Sequence, residues 1–368
     1  MKHAPQALYI HVPFCAAKCA YCAFYSLPAP AAAQRRQYLN RIAAEFADTA
    51  PRTGPLKTVF IGGGTPSFLS DNELRELLQA VRSSFTFAPD AEFTIECNPD
   101  SLNPDKIAVL VATGVNRVSL GIQSFSPRFR ACIGRQGGLA GLERHIALLR
   151  DHGIANLGAD LIYAIPGQTL ADWEADLRQT LALGVQHLST YALTVEENTR
   201  LTGDAVRPVD EQLAVDMWDR AAQVAESAGL RRYEVSNLAV PGAECRHNLD
   251  IWYGAAYLGC GPAASSYDGM TRWTHRSSLD EWLRHVSPET DVLTPQARAA
   301  EVLTFGLRTV AGWPRKLFRE RTGFDLVELR GEAIASLVRD GLLELTPDVL
   351  RPTRQGLLFA DTVAEQLL

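Results

Sequence analysis

The sequence predicts an α/β fold with a parallel sheet, followed by a smaller, mostly helical domain. Short apolar segments alternate with longer stretches of helical periodicity through the first two thirds of the chain. Three times a helix-like run ends at a glycine and a strand-like segment follows, at Gly153, Gly184 and Gly229. Six β-then-α units in succession indicate parallel strands joined by helical crossovers. Periodicity alone leaves an open doubly wound sheet and a partial (β/α)6 barrel as alternatives.

Each predicted strand is a short, β-rich apolar run. The predicted strands are Leu8–Val12, Thr58–Ile61, Glu92–Glu96, Arg117–Ile122, Ala159–Tyr163 and His187–Leu193. The predicted helices are Gln34–Thr49, Asp71–Phe85, Pro104–Thr113, Leu139–His152, Asp172–Leu183 and Glu211–Ala228. Ser70 with Glu73, and Asn103 with Pro104, are typical helix starts. Folds of this kind bind ligands at the carboxyl ends of the strands, so the functional residues are expected there.

The pattern changes after about Pro241. Residues 242–268 are loop-rich and dense in Cys, His, Trp, Tyr and Gly. From about Pro295 the pattern becomes largely helical, with a short hairpin near Leu345–Pro352. We therefore predict three parts: a β/α domain at 1–240, a connecting segment at 241–294, and a small α-rich, winged-helix-like domain at 295–368.

Composition and charge narrow the class of protein. The 368 residues are 46% hydrophobic and 21% charged, which is ordinary for a globular protein and too apolar for a disordered one. The net charge of −6 argues against a chain that coats nucleic acid. Apolar runs fall short of the ~20 residues that a membrane-spanning helix needs. The segment before Cys15 lacks the apolar core of a signal peptide, so we expect a cytoplasmic protein.

Three of the seven cysteines cluster on one segment. Cys15, Cys19 and Cys22 follow the first predicted strand with the spacing C-x3-C-x2-C. Clustered thiols in a reducing compartment indicate metal or redox chemistry, and three thiolates suit a [4Fe–4S] cube with one iron left open. Zinc usually takes four ligands. The alternatives are a zinc site completed by His11 and three unligated core cysteines.

This cysteine spacing, with an aromatic residue before the third cysteine, resembles that of the radical S-adenosylmethionine (SAM) enzymes. The resemblance implies a cluster whose open iron is chelated by the amino and carboxylate groups of SAM. It also implies that an electron from the reduced cluster breaks the sulfonium C–S bond, giving methionine and a 5′-deoxyadenosyl radical. A partial (β/α)6 barrel interior would keep such a radical away from water.

Further motifs narrow the resemblance to one branch of that superfamily. In chain order they are Tyr9-Ile-His-Val-Pro-Phe-Cys15, Phe60-Ile-Gly-Gly-Gly-Thr-Pro66, Thr94-Ile-Glu-Cys-Asn-Pro99, Ser119-Leu-Gly-Ile-Gln-Ser-Phe125, Gly134-Arg135, Asp160-Leu-Ile-Tyr-Ala-Ile-Pro166, His187-Leu-Ser-Thr-Tyr-Ala192 and Tyr233-Glu-Val-Ser-Asn237. Their order and spacing resemble the branch that contains oxygen-independent coproporphyrinogen III oxidases and the heme chaperones called HemW. The resemblance covers nearly the whole chain.

The resemblance implies which residues contact SAM. They are Tyr9, Tyr21, Gly63, Gly64, Thr65, Glu96, Gln123, Arg135, Asp160 and Ala192. By residue chemistry alone, Gly63 and Gly64 allow a close approach to a ligand or form a tight turn. Glu96 and Asp160 end apolar strands, where an unpaired carboxylate is costly. A cationic sulfonium and ribose hydroxyls would compensate them, and a structural ion pair with Arg117 is the alternative. The two tyrosines serve equally well as core residues.

Two features divide the branch into oxidases and chaperones. The resemblance implies that an oxidase carries a further cysteine two residues past the third cluster cysteine, where this chain has Phe24. It also implies a longer N-terminal segment that holds a second SAM, and Tyr9 lies too near the start for such a segment. Both differences argue against oxidase activity.

The positive sign for a chaperone is the segment CRHNLDIW, which contains His247 and Trp252. It resembles the H-N-x-x-[YF]-W signature of the heme chaperones, with Ile251 in place of the usual aromatic residue. An imidazole can ligate heme iron and Trp252 can cover the porphyrin face, with Cys245 as an alternative thiolate ligand. A His–Asn hydrogen-bond pair in a loop is the structural alternative. Ala23, where the chaperones usually have Asp, leaves open a divergent relative that handles another tetrapyrrole.

The sequence therefore predicts a radical-SAM-type heme chaperone that binds a [4Fe–4S] cluster, SAM and heme. The expected partners are heme-accepting proteins and, if SAM is cleaved, an electron donor, with no nucleic acid and no transmembrane segment. Peripheral membrane attachment during heme delivery, the oligomeric state and the heme acceptor stay open, and no catalytic residue is assigned. The alternatives are an oxidase that abstracts a propionate β-hydrogen before CO2 loss, and a non-enzymatic zinc or scaffold protein.

Overall fold

The computed structural model describes residues 4–197, 199–203 and 209–368. Strands and helices alternate through the first part of the chain, as the periodicity predicts. In chain order these elements are β1 (Ala7–Val12), β2 (Phe14–Cys15), β3 (Leu27–Pro28), α1 (Ala32–Thr49), β4 (Leu56–Gly63), α2 (Asp71–Ser84), β5 (Phe87–Cys97), α3 (Pro104–Ala112), β6 (Arg117–Gln123), α4 (Pro127–Cys132), α5 (Leu142–Asp151), β7 (Asn156–Tyr163), α6 (Leu170–Ala182), β8 (His187–Ala192), α7 (Arg200–Gly203) and α8 (Glu211–Glu226). The six predicted strands and six predicted helices are present, with shifts at their ends.

The predicted helix starts act as N-terminal caps. The Ser70 hydroxyl accepts the Glu73 N–H at 3.4 Å, and the Glu73 carboxylate accepts the Ser70 N–H at 2.9 Å. The side chain of Asn103 accepts the N–H of Lys106 at 2.7 Å. Each cap satisfies a backbone donor that the first helical turn leaves without a partner.

Six parallel strands form the wall of a partial (β/α)6 barrel. Their order across the sheet is β1-β4-β5-β6-β7-β8. Successive side chains alternate between the two faces of a strand. On β4, Val59 and Ile61 join the apolar core under the surrounding helices, so Thr58 and Phe60 face the interior of the barrel.

The sheet continues beyond the six predicted strands. The next elements are β9 (Arg231–Arg232), β10 (Asn237–Ala239), α9 (Arg246–Trp252), β11 (Tyr257–Cys260), β12 (Ser265–Tyr267), β13 (Thr271–Thr274), α10 (Leu279–Leu283) and β14 (Glu289–Val292). β11 pairs in parallel with β1, and β12 to β14 follow it as antiparallel strands. The expectation of a loop-rich segment at 242–268 is wrong, because its apolar residues add to this sheet. The division of the chain into three domains stays a prediction.

The C-terminal residues have an apolar core of their own. Its elements are α11 (Pro295–Gly306), β15 (Trp313–Pro314), α12 (Arg315–Thr322), α13 (Leu326–Arg339), β16 (Leu343–Leu345), β17 (Val349–Pro352), α14 (Arg354–Leu358) and α15 (Ala360–Leu367). Leu303, Trp313, Phe318 and Leu337 are buried in that core. The antiparallel pair β16 and β17 lies where the hairpin is predicted. Within the described ranges, no helix combines the length and apolar character needed to cross a membrane.

Candidate functional site

Residues 13–29, which we call the cysteine loop, lie at the carboxyl end of β1. The N–H of Leu27 donates to the carbonyl of Pro13 at 2.6 Å, which closes the loop. The N–H of Ala20 donates to the carbonyl of Ile133 at 3.0 Å, which ties the loop to the end of α4. The loop presents three partly accessible thiols, those of Cys15, Cys19 and Cys22. The structure therefore places the predicted cluster ligands together at the rim of the barrel.

Two polar side chains reach these thiols. The Thr65 hydroxyl lies 3.5 Å from the Cys15 sulfur, and Nη1 of Arg135 donates to the Cys19 sulfur at 3.7 Å. Nη2 of Arg135 donates to the carbonyl of Gly121 at 2.6 Å, which holds the guanidinium in place. Burial raises the pKa of Cys15. Cys15 is thus a neutral thiol at pH 7, and the fixed positive charge of Arg135 next to the loop favours a thiolate.

This donor set fits an iron–sulfur cluster better than a single metal ion. In the part of the chain that the structure describes, no three His, Cys, Asp or Glu side chains converge to hold one ion. A cube takes its thiolates on three different irons, so its ligands stand further apart than those of one zinc ion. Nε2 of His11 pairs with the carbonyl of Tyr25 at 2.9 Å, and Nδ1 pairs with the Tyr9 hydroxyl at 3.1 Å. His11 is therefore engaged by the protein rather than free to complete a zinc site.

Glycines at the end of β4 bring its backbone against the cysteine loop. The N–H of Gly64 donates to the carbonyl of Val12, and the N–H of Thr65 donates to that of Phe14, both at 2.8 Å. A Cβ at Gly64 would lie 2.8 Å from the Phe14 carbonyl oxygen. Gly63 adopts a φ of 104°, which side-chain-bearing residues rarely adopt. Gly64 is therefore required by close packing against the protein's own backbone, and Gly63 by its positive φ and by the neighbouring His11 ring. Their contact with SAM stays a prediction.

Two carboxylates face the barrel interior. Asp160 accepts a hydrogen bond from the Ser119 hydroxyl at 3.1 Å, and Glu96 accepts one from the Gly63 N–H at 3.3 Å. Neither carboxylate forms an ion pair within 4.0 Å with Arg117 or any other residue in the described ranges. The alternative of a structural ion pair with Arg117 is therefore wrong. Burial and the nearby Asp160 raise the pKa of Glu96 to about 8. Glu96 holds its proton at neutral pH until a bound cation favours the carboxylate.

Gly121, on β6, allows the side chains of Gln123 and Arg135 to approach its backbone; both are predicted SAM contacts. A Cβ at Gly121 would lie 3.1 Å from both Nη2 of Arg135 and Nε2 of Gln123. The pairing between β6 and β7 shifts register between Gly121 and Gln123, and Gln123 adopts a φ of 70°. Gln123 and Arg135 therefore approach the same point of the rim, and their contact with SAM stays a prediction.

The remaining predicted SAM residues have mixed surroundings. Tyr9 stacks on Phe60 inside the barrel, with ring centroids 6.3 Å apart. Tyr21 packs at the edge of an apolar cluster that contains Phe129. Ala192 ends β8 and is exposed. Tyr9 therefore lines the interior, whereas packing accounts for the position of Tyr21, and their roles toward SAM stay predictions.

The three heme candidates do not meet at one point. His247 is buried, with Nδ1 3.0 Å from the Thr58 hydroxyl and its ring 5.4 Å from that of Phe60. Burial lowers the pKa of His247 to about 3. Trp252 is five residues further along α9, which turns it about 140° away around the helix. It packs instead on Phe305 of α11, with ring centroids 6.2 Å apart. The structural alternative of a His–Asn pair in a loop is not what the structure has: His247 lies on a helix and bonds to Thr58.

Glu92 anchors the helix that carries these candidates. Its carboxylate accepts the N–H of Arg246 at 3.0 Å, the N–H of His247 at 3.1 Å and the thiol of Cys245 at 3.7 Å. Burial raises the pKa of Cys245 to about 12, so its thiol is neutral. Thr58 and Glu92 are register neighbours, and both lie closer to the amino-terminal ends of β4 and β5 than Gly62 and Glu96 do. Helix α9, which bonds to both, therefore closes this end of the barrel, which we call its floor. The sequence reasoning missed Glu92, whose only signal is a carboxylate inside an apolar strand.

Family models match two parts of the chain. The model of the radical SAM superfamily matches residues 9–180, and that of the HemN C-terminal domain matches residues 293–359. Together with the partial (β/α)6 barrel and the cysteine loop at its rim, these matches define a radical SAM protein.

Relatives cover the whole chain. The heme chaperone HemW of Bacillus subtilis is 33% identical over 97% of this chain and 98% of its own length. The HemW of Mycobacterium tuberculosis is 35% identical over 99% of this chain and 95% of its own. For the HemW of Escherichia coli the identity is 32%, over 100% of this chain and 99% of the relative. The chain belongs to the HemW family, which confirms the family that the ordered motifs indicate.

A solved structure confirms the fold. Coproporphyrinogen III oxidase (HemN) from Escherichia coli, a radical SAM enzyme, matches with a TM-score of 0.88. The match covers 100% of this chain and 91% of that chain at 20% identity. At such identity the similarity establishes the fold alone, and the predicted radical SAM barrel with a C-terminal helical domain is confirmed.

Proposed function

We propose that this protein is a heme chaperone of the radical SAM type, which binds a [4Fe–4S] cluster, SAM and heme and passes the heme to acceptor proteins. The near-full-length similarity to proteins named heme chaperones carries the proposal. Phe24, at the position where the resemblance implies a cysteine in the oxidases, supports a chaperone over an oxidase. The expected location is the cytoplasm, and an electron donor is a further partner if SAM is cleaved.

The cysteine loop would hold the cluster through Cys15, Cys19 and Cys22. When bound, the cluster supplies an open iron for SAM and an electron for its reductive cleavage. Arg135 places its charge beside the Cys19 sulfur and favours the thiolate that iron requires. Its guanidinium also lies at the rim, where it could donate two hydrogen bonds to the carboxylate of a ligand.

The interior carboxylates support the binding of a cation. Glu96 is protonated at neutral pH in the free protein, because burial and Asp160 disfavour its ionised form. A sulfonium at this position would compensate the charge, and Glu96 would release its proton. Asp160 keeps its bond to Ser119 and offers its other lone pairs to hydroxyl groups.

The closed floor directs ligands to the opposite end of the barrel. α9 blocks the amino-terminal end of the strands, and Phe60 separates His247 from Tyr9. A heme that enters would come from the side of the cysteine loop. Ligation of its iron by His247 requires α9 to leave the floor, since the imidazole is buried and Nδ1 is paired with Thr58.

The experiment that tests the proposal uses the anaerobically reconstituted full chain. Iron and sulfide analysis should show one [4Fe–4S] cluster per chain, and zinc without labile sulfide would establish the zinc or scaffold alternative. Titration with hemin should show saturable binding, and mixing the heme-loaded protein with an apo-globin should transfer the heme. No saturable binding by the cluster-loaded protein would overturn the chaperone proposal.

A turnover assay separates the chaperone from the oxidase. The same protein is incubated with SAM, a strong reductant and coproporphyrinogen III, and products are followed by mass spectrometry. We expect no decarboxylation in a sample whose cluster binds SAM. Protoporphyrinogen formed at a catalytic rate would establish the oxidase and remove the proposal.

A further inference from the structure

The floor of the barrel holds the guanidinium of Arg117, for which the described part of the chain provides no hydrogen-bond partner. Arg117, at the start of β6, is only 2% exposed. Its Nε is buried and unpaired, and the side chain forms no hydrogen bond or ion pair with residues of the described ranges. Glu92 and Asp160 act on it only at longer range. Its register neighbours Thr94 and Asn156 each also have a buried side-chain oxygen that no described residue bonds. Unpaired buried polar groups are costly, so this floor is built for a further partner.

A second unpaired donor lies on β8. The hydroxyl of Tyr233 accepts the N–H of Cys245 at 3.3 Å and lies 2.8 Å from Nε2 of His187. We assign the hydroxyl proton to the bond with Nε2, which makes Nε2 the acceptor and leaves the imidazole hydrogen on Nδ1. Nδ1 of His187 is buried and has no hydrogen-bond partner among the residues that the structure describes. Burial and Arg117 lower the pKa of His187 well below its ordinary value, so Nδ1–H is a neutral donor.

Gly158, on β7, lies where the side chains of Arg117, Ser119 and His187 converge. A Cβ at residue 158 would lie 3.2 Å from the Ser119 hydroxyl, 3.4 Å from Nδ1 of His187 and 3.6 Å from Nη2 of Arg117. Three polar atoms from two neighbouring strands therefore border one point, which we call the Gly158 niche. The Ser119 hydroxyl already donates to Asp160. The free donors of the niche are a guanidinium and an imidazole N–H, a combination that suits an anion with two acceptor oxygens.

We propose that the Gly158 niche binds one carboxylate of the organic molecule carried in the barrel, held by Arg117 and by Nδ1–H of His187. For heme this carboxylate is a propionate, a step that rests on the proposed function. Two residues of strand separate Gly158 from Asp160, or about 7 Å. A propionate at the niche therefore directs the macrocycle toward Glu96, Asp160 and the rim.

Filling the niche provides a test that leaves every charge in place. Gly158→Ala adds a methyl group whose neighbours need to move by only a few tenths of an ångström, and the residue has no positive φ. The cluster-loaded full chain is titrated with hemin and with hemin dimethyl ester. Wild type should bind hemin at least about tenfold more tightly than the ester, as expected for a charge-assisted hydrogen bond. The ratio should fall to about one in Gly158→Ala and stay unchanged in the control Gly331→Ala, a glycine of α13.

A second measurement does not depend on heme. In protein with 15N-labelled histidine, sodium propionate should shift the Nδ1 resonance of His187 in a saturable way, and propionamide should leave it unchanged. His187→Gln identifies the resonance by its loss, and Arg117→Gln should abolish the shift. If wild type binds hemin and its ester equally and propionate does not shift the Nδ1 resonance of His187, the proposal of carboxylate binding at the Gly158 niche is wrong, while the chaperone proposal stands. If neither porphyrin binds, the chaperone proposal fails, and the propionate shift alone supports or overturns the niche.

Discussion

Glu92→Ala is expected to release α9 from the floor of the barrel. The carboxylate accepts two backbone N–H groups at 3.0 and 3.1 Å, from Arg246 and His247, in addition to the Cys245 thiol. A hydrogen bond to a charged group contributes about 1.5–3 kcal/mol, so the two backbone bonds sum to about 3–6 kcal/mol. Water that enters the vacated space recovers part of this. We therefore expect the free energy of unfolding to fall by about 3–5 kcal/mol.

Two further variants calibrate that value. Glu92→Gln keeps one carbonyl oxygen as an acceptor but loses the charge, so roughly half the effect is expected, about 1–3 kcal/mol. Glu332→Ala removes an exposed carboxylate from α13 and should change the free energy of unfolding by less than about 0.5 kcal/mol.

The assay is urea unfolding at pH 7, followed by circular dichroism and tryptophan fluorescence. Amide hydrogen exchange adds a local readout, because the N–H groups of Arg246 and His247 should lose protection in Glu92→Ala. If Glu92→Ala unfolds within about 0.5 kcal/mol of Glu332→Ala and both amides stay protected, Glu92 does not anchor α9, and the account of the barrel floor is refuted.

Three further predictions concern the rim, the interior and the floor. Replacing each thiol of the cysteine loop by Ser should abolish the absorbance of the reconstituted cluster, whereas the exposed Cys132→Ser should keep it; retention in all three loop variants would contradict the assignment. The pKa of Glu96 is raised from 4.5 to about 8 in the folded protein, so the folded state holds a proton that the unfolded chain releases. The free energy of unfolding should fall as pH rises from about 4.5 to about 8, by at most about 1.4 kcal/mol per pH unit. If the free energy of urea unfolding depends on pH in the same way in wild type and Glu96→Gln, this prediction is refuted. His247→Ala should lower the free energy of unfolding by about 2–4 kcal/mol through the lost Thr58 bond and the cavity; lost hemin binding with unchanged stability would instead identify His247 as a free heme ligand.

The sequence predicts those features of the fold that depend on interactions between residues close together in the chain. The start of α2 follows from Ser70 and Glu73, because an N-cap and its reciprocal carboxylate act within one turn. The cysteine spacing likewise predicts three thiols on one loop, since a loop of that length keeps them near one another. The strand Tyr257–Cys260 was not predicted, because so short a segment forms a strand only where a neighbouring strand such as β1 has a free edge.

The CRHNLDIW segment shows that local patterns are also insufficient to predict which functional side chains lie together. Its residues are compatible with a heme ligand or with a hydrogen-bonded loop, and only the resemblance favours the ligand. The structure instead turns His247 toward Thr58 and Trp252 toward Phe305, because residues five positions apart on a helix point in different directions. Helix formation, which the sequence did not indicate here, decides which of them share a face.

Sequence patterns alone were enough to establish the class of the protein: the alternation of strands and helices, the three thiols and the order of motifs along the chain. Which residues face the interior depends on tertiary contacts. Arg117, Gly158 and His187 are separated by tens of residues, and they border one niche because β6, β7 and β8 pair in one register. Register depends on contacts between strands rather than within them. Local spacing can thus indicate the family of a chain, whereas the groups that we propose to bind its ligand become neighbours only when the barrel is assembled.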